Sequence, residues 1–215
     1  RRLANPARDF AESVFTARRR IGRFALRELA GRDHRAGEPV SAGLFDAVER
    51  AVEEQLDWPN SLRAWVGDLG PAGTAALIAG VLTWCDGALR LVGRDPRIVW
   101  TDPSRPSVWN VPGRIVQLRT QVDAVMGGVV SGERLLSLGD GAPGPADRLR
   151  AGHLALVRTL GFRHAPVRVT LGAPSTGTRT PIEVDEALLS LTVDRVAEAG
   201  HDPRRFTSDL LERLR

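Results

Sequence analysis

Apolar residues recur at helical spacing through the first part of the chain. One such row predicts a helix over residues 6–30, with arginines four residues apart on its opposite face. A second helix is predicted over residues 41–56, where Ser41 can serve as the N-cap. A third helix follows Gly70 and Pro71, and we expect it to be central because it is the most apolar; it carries Leu77, Val81, Leu82, Trp84, Leu89 and Leu91.

Beyond Gly93 the pattern changes to the alternation that is typical of strands. We expect a turn-rich connection at 105–110, a chain reversal at Gly127 and Gly128, and strands at 97–101, 113–126, 133–139, 166–171 and 182–184. Helices are predicted at 146–160, at 185–199 and from Pro203 onward. This order predicts a mixed α/β (α+β) fold with a central sheet flanked by helices, in which a helical region (1–69) precedes the core (70–215).

The composition limits the chemistry that the chain can perform. All 30 residues counted as lysine or arginine are arginine, so no lysine amine can act as an acid, a base or an electrostatic clamp. The net charge of +4 is compatible with a phosphate-rich partner, and the single cysteine, Cys85, excludes an internal disulfide. The chain shows no uninterrupted apolar stretch near the roughly 20 residues of a membrane helix and no signal-peptide core. We therefore expect a cytoplasmic protein without a membrane partner.

Several common catalytic motifs are missing from the chain. It has no serine-hydrolase elbow, no P-loop lysine and no zincin motif, and its four histidines show no metal-ligand spacing. Glycines 139, 141 and 144 match the dinucleotide fingerprint literally. Pro143 stiffens this segment, and no acidic strand end follows at the usual spacing, so we interpret it as a connecting loop. No cofactor is expected from these motifs.

Two segments resemble the RecB-type branch of the PD-(D/E)XK nucleases. The first runs from Val116 to Gly127 and contains Asp123; the second runs from Leu135 through the predicted helix to Val169. The order of one helix, three strands in a meander, a helix and a further strand is also the order of the nuclease core. The resemblance covers roughly residues 70–199 and is stronger in layout than in motif.

The resemblance implies which positions of this chain correspond to the metal-binding carboxylates and the lysine of the nucleases. At most of these positions the catalytic residue type is absent. Asp123 stands where the first metal-binding carboxylate belongs, Ser137 where the second belongs and Gly139 where the lysine belongs. A shift of register would bring Asp140 toward the metal position, and His153 is the residue that would replace the family's polar contributor on the helix. Two carboxylates normally hold Mg²⁺ and the lysine positions the nucleophile, so the chain is expected to lack nuclease activity.

Three functional hypotheses remain open at this point. The first is an inactive nuclease-like domain that binds DNA, a protein partner or both, in DNA repair, recombination or phage defence. The second is an active nuclease that holds Mg²⁺ through Asp123, Asp140 and Glu53 or Glu54, and the third is an assembly protein with no nucleic-acid role. For the first, Trp109 is a candidate partner contact, and the candidate phosphate contacts are Arg19, Arg23, Arg27, Arg148, Arg150 and Arg163.

Overall fold

The computed structural model describes residues 13–30, 40–54, 60–93, 98–103, 105–110, 117–128, 131–139, 144 and 146–198. Its helices are α1 (Val14–Ala30), α2 (Val40–Glu54), α3 (Asn60–Gly67), α4 (Gly70–Val92), α5 (Asp147–Phe162) and α6 (Glu186–Glu198). Its strands are β1 (Ile98–Trp100), β2 (Ser107–Asn110), β3 (Gln117–Thr120), β4 (Ala124–Met126), β5 (Arg134–Leu138), β6 (Arg168–Ala173) and β7 (Thr178–Glu183). The predicted mixed α+β class is confirmed.

A five-stranded mixed sheet organises the fold, with the spatial order β1, β4, β5, β6 and β7. β1, β4 and β5 pair antiparallel to one another. The chain then crosses through α5 and returns as β6, which is parallel to β5, because parallel neighbours need a long crossover. β7 closes the sheet as an antiparallel partner of β6, and β2 and β3 form a separate antiparallel hairpin.

Hydrophobic layers cover both faces of the sheet, since successive side chains of a strand point to opposite faces. Leu136 and Leu138 of β5 belong to the larger core, which also contains residues of α1, α2, α3 and α4. Leu135 of the same strand packs on the other side, with β6 and α5. The larger core therefore joins residues from both sides of the predicted boundary between residues 69 and 70, and that boundary stays a prediction.

α1 and α4 pack closely at a glycine. A Cβ atom at Gly22 would lie 2.5 Å from a ring carbon of Trp84 and 3.2 Å from Cys85 Sγ. Cys85 is buried, its thiol donates to the carbonyl of Gly22 at 3.5 Å, and burial raises the pKa of the thiol. The predicted central position of α4 is thus confirmed.

The apolar character of α4 also bears on the membrane. Within the described part of the chain, α4 is the one helix that is long and apolar enough to cross a bilayer, a test that core helices of soluble proteins also pass. Its buried residues, among them Val81, Trp84 and Ala88, pack against α1, α2 and the sheet. This packing explains the apolar character of α4 as that of a core helix.

Parts of the sequence-based assignment are wrong. The long strand expected at 113–126 is instead β3 and β4, which lie in different sheets. The connection expected to be turn-rich at 105–110 contains β2, which pairs with β3, and α3 is not indicated by the pattern. The helix predicted from Pro203 and most of the loop predicted at 140–145 lie outside the described residues.

Candidate functional site

Asp123 is a buried carboxylate at the start of β4. Its side chain is 1% exposed, and its backbone is fixed on both sides by hydrogen bonds. The Asp123 N–H donates to the carbonyl of Leu136 at 2.8 Å, and its carbonyl accepts from the N–H of Thr101 at 3.0 Å. The carboxylate accepts a further bond of 2.6 Å from the N–H of Leu138. The resulting position is rigid, because neighbouring strands of one sheet hold the residue.

The guanidinium of Arg23 neutralises this carboxylate. Its Nε donates to Oδ1 of Asp123 and its Nη2 donates to Oδ2 at 3.1 Å, so the pair is bidentate. Nη2 also lies 3.5 Å from the carbonyl oxygen of Leu138. Arg23 is therefore a cation held among three oxygen atoms, two of a carboxylate and one of the backbone. The contact joins residues that are 100 positions apart in the chain.

α1 holds Arg23 in this place. The residues of the helix that flank it in space, Ile21, Gly22, Ala25 and Leu26, are buried in the larger core. This packing fixes the backbone of α1 and places the Arg23 side chain beside Asp123. The side chains of the ion pair are 16% and 1% exposed.

The oxygen atoms of this site do not fit a metal ion. Mg²⁺ requires several oxygen ligands in near-octahedral arrangement, and both oxygens of Asp123 are already bonded to Arg23 or to the N–H of Leu138. Among the described residues, no three His, Cys, Asp or Glu side chains come together as a metal cluster. Asp140 lies outside the described residues, Glu53 is exposed on α2, and the side chain of Glu54 is not described.

Ser137 and Gly139 lie next to the ion pair at the end of β5. Ser137 is 2% exposed, and its hydroxyl accepts a hydrogen bond of 2.8 Å from Nη2 of Arg150 on α5. A Cβ atom at Gly139 would lie 3.4 Å from Nη1 of the same arginine. Arg23 and Arg150 thus reach adjacent residues of one strand, Leu138 and Ser137, from different helices.

The other sequence candidates lie in separate places. Nε2 of His153 is 3.2 Å from the carbonyl oxygen of Arg119, so this histidine ties α5 to β3. Arg27 pairs with Asp102 at 3.1 Å, and Arg19 is partly buried on α1. Arg148 is exposed in the first turn of α5, whereas Arg163 is exposed just beyond its last turn, roughly 20 Å further along the axis.

Trp109 is not a surface platform. It is 9% exposed and packs, with Leu118, against α5 and α6. The turn-rich connection expected around it is instead β2, which turns the ring of Trp109 toward the helices, and the contact of Trp109 with a partner stays a prediction. The pairing of Arg23 with Asp123 is the feature that the sequence pattern missed, since nothing local marks a contact over 100 residues.

None of the protein-family models, curated proteins or solved structures compared with the chain matches it.

Proposed function

We propose that this chain is a nuclease-like domain that binds DNA without cleaving it, with or without a protein partner, in DNA repair, recombination or phage defence. The observation that carries the proposal is the ion pair between Arg23 and Asp123. An arginine side chain stands where the resemblance would put a metal ion, and a guanidinium cannot activate water as a metal ion does.

The order of the elements supports the same proposal. α4 precedes three antiparallel strands, β1, β4 and β5, and the chain then passes through α5 to a parallel strand. This is the order that the resemblance to RecB-type nucleases implies. The β2–β3 hairpin is an addition between the first and second of these strands.

Loss of the catalytic groups also agrees with a binding role. Ser137 and Gly139 supply neither a carboxylate nor an amine, and Arg150 fills the adjoining space with a positive charge. A site without metal ligands that keeps an exposed cation can attract a phosphate and leave its ester bonds intact. A cytoplasmic location is part of the proposal.

The test is to incubate the purified protein with labelled single-stranded and duplex DNA, with Mg²⁺, with Mn²⁺ and with a chelator, at two salt concentrations. We expect binding that weakens as salt rises and no cleavage under any condition. Metal-dependent cleavage that is lost in Asp123→Asn would overturn the proposal in favour of an active nuclease. Absence of binding to either DNA would refute a DNA-binding role and favour an assembly protein.

A further inference from the structure

We propose that Arg150 anchors a backbone phosphate of the bound DNA, in the space that a side chain at position 139 would otherwise fill. This inference rests on the proposed function and selects one of the six candidate arginines as the principal contact. Three observations carry the proposal: the hydrogen bond that holds the guanidinium of Arg150, the glycine beside it, and the absence of a neutralising carboxylate among the described residues.

The guanidinium of Arg150 is held in place by a neutral group. Nη2 donates to the hydroxyl of Ser137 at 2.8 Å. Ser137 is 2% exposed and is fixed in β5, opposite Leu171 of the parallel strand β6. A hydroxyl partner orients the arginine and leaves its full charge available, whereas a carboxylate partner would neutralise it.

The glycine at position 139 provides the room for this guanidinium. A Cβ atom there would lie 3.4 Å from Nη1 of Arg150, which is van der Waals contact. A longer side chain at position 139 would start from this contact and would share the surrounding space with Arg150. The resemblance places a lysine at position 139, so here the positive charge reaches that region from α5 instead.

Arg150 differs from Arg23 and Arg27 in having no acidic partner among the described residues, and from Arg148 and Arg163 in being held against β5 by the hydroxyl of Ser137. Arg23 is paired with Asp123 and Arg27 with Asp102. The acid closest to Arg150 in sequence, Asp147, accepts instead from the N–H of Gly144. Arg150 is exposed, pairs with no carboxylate among the described residues and keeps most of its five N–H donors for a ligand. Two of them can bind a phosphate in parallel.

The decisive experiment compares Arg150→Gln with Arg90→Gln in the full chain, using a labelled duplex DNA at several salt concentrations. Both variants lose one exposed arginine, but Arg90 pairs with Asp86 and lies on α4, which covers the opposite face of the sheet from α5. We expect Arg150→Gln to reduce the slope of log K against log salt by about 0.9. Its loss of affinity should then be about 3.5 times larger at ~50 mM salt than at ~200 mM salt. Arg90→Gln should keep the wild-type slope.

A second pair of variants separates charge from geometry. Arg150→Lys keeps the charge and should retain most of the salt slope, whereas Ser137→Ala frees the arginine and should weaken binding less than Arg150→Gln does. Melting temperatures of all variants establish that they remain folded. If wild type binds DNA and Arg150→Gln keeps its full slope, this inference is wrong while the proposed function stands. If wild type binds no DNA, the proposed function itself has failed.

Discussion

Removing the Arg23 side chain should destabilise the protein strongly. In Arg23→Met the apolar stem of the side chain is kept, but Asp123 loses its counter-ion while its own side chain is 1% exposed. The N–H of Leu138 would then be the one remaining donor to the carboxylate among the described contacts. Removing one partner of a buried ion pair leaves an uncompensated charge and costs about 3–5 kcal/mol.

The size of this effect can be converted into a melting temperature. For a chain of 215 residues, each kcal/mol lowers the melting temperature by roughly 2–4 °C, so Arg23→Met should melt about 6–20 °C below wild type. Urea unfolding should show a lower midpoint with an unchanged slope. The matched control is Arg27→Met, one turn further along α1. Its pair with Asp102 is more exposed, at 43% and 19%, and should be worth at most about 1 kcal/mol.

The reverse variant supplies a check on the reasoning. Asp123→Asn should cost less than Arg23→Met, because Arg23 is 16% exposed and can reach water, whereas Asp123 cannot. The double variant should be more stable than the sum of the single losses indicates, because the two groups interact directly. If Arg23→Met costs no more than Arg27→Met, the pair does not hold a buried charge and the interpretation of the site is refuted.

Two further predictions concern the contact between α1 and α4. Gly22→Ala should lower the free energy of unfolding by about 1–3 kcal/mol, because its Cβ would lie 2.5 Å from a ring carbon of Trp84. Gly80→Ala should raise the free energy of unfolding by about 0.5–1 kcal/mol in the same urea titration, because its Cβ would lie 3.5 Å from Cδ of Arg18, an ordinary contact. Cys85 should resist iodoacetamide at pH 8 until the protein unfolds, because burial raises the pKa of its thiol and alkylation needs the thiolate. The raised pKa also makes the free energy of unfolding depend on pH. It should fall as pH rises above the ordinary thiol pKa of 9.0, since the unfolded chain then loses a proton that the folded protein keeps. Rapid labelling of the folded protein would contradict that burial.

The elements that the sequence predicted well are those whose regularly spaced apolar residues all pack into the same hydrophobic core. α4 is the clearest case, because its row of large apolar residues faces both helices and sheet. The predicted strand over residues 113–126 failed for a related reason. Alternation continues through β3 and into β4, but it does not reveal that the chain changes sheets between Thr120 and Ala124. That change depends on which distant strand each part pairs with.

The site was predictable in position but not in chemistry. Asp123, Ser137 and Gly139 lie close together, as the resemblance implies, because β4 and β5 are neighbours. The role of Arg23 could not be predicted, since its spacing along α1 is the same as that of an ordinary solvated row of arginines. Only the packing of α1 against α4 turns this one arginine toward the sheet.

The β2–β3 hairpin belongs to a segment that leaves the five-stranded sheet and returns to it at neighbouring positions. The chain leaves the sheet after Trp100 and returns at Ala124, and these two residues are paired across β1 and β4. A change in the length of the segment between them therefore leaves the register of β1 and β4 in place. Removal of the hairpin would expose the apolar side chains of α5 and α6 that Trp109 and Leu118 cover.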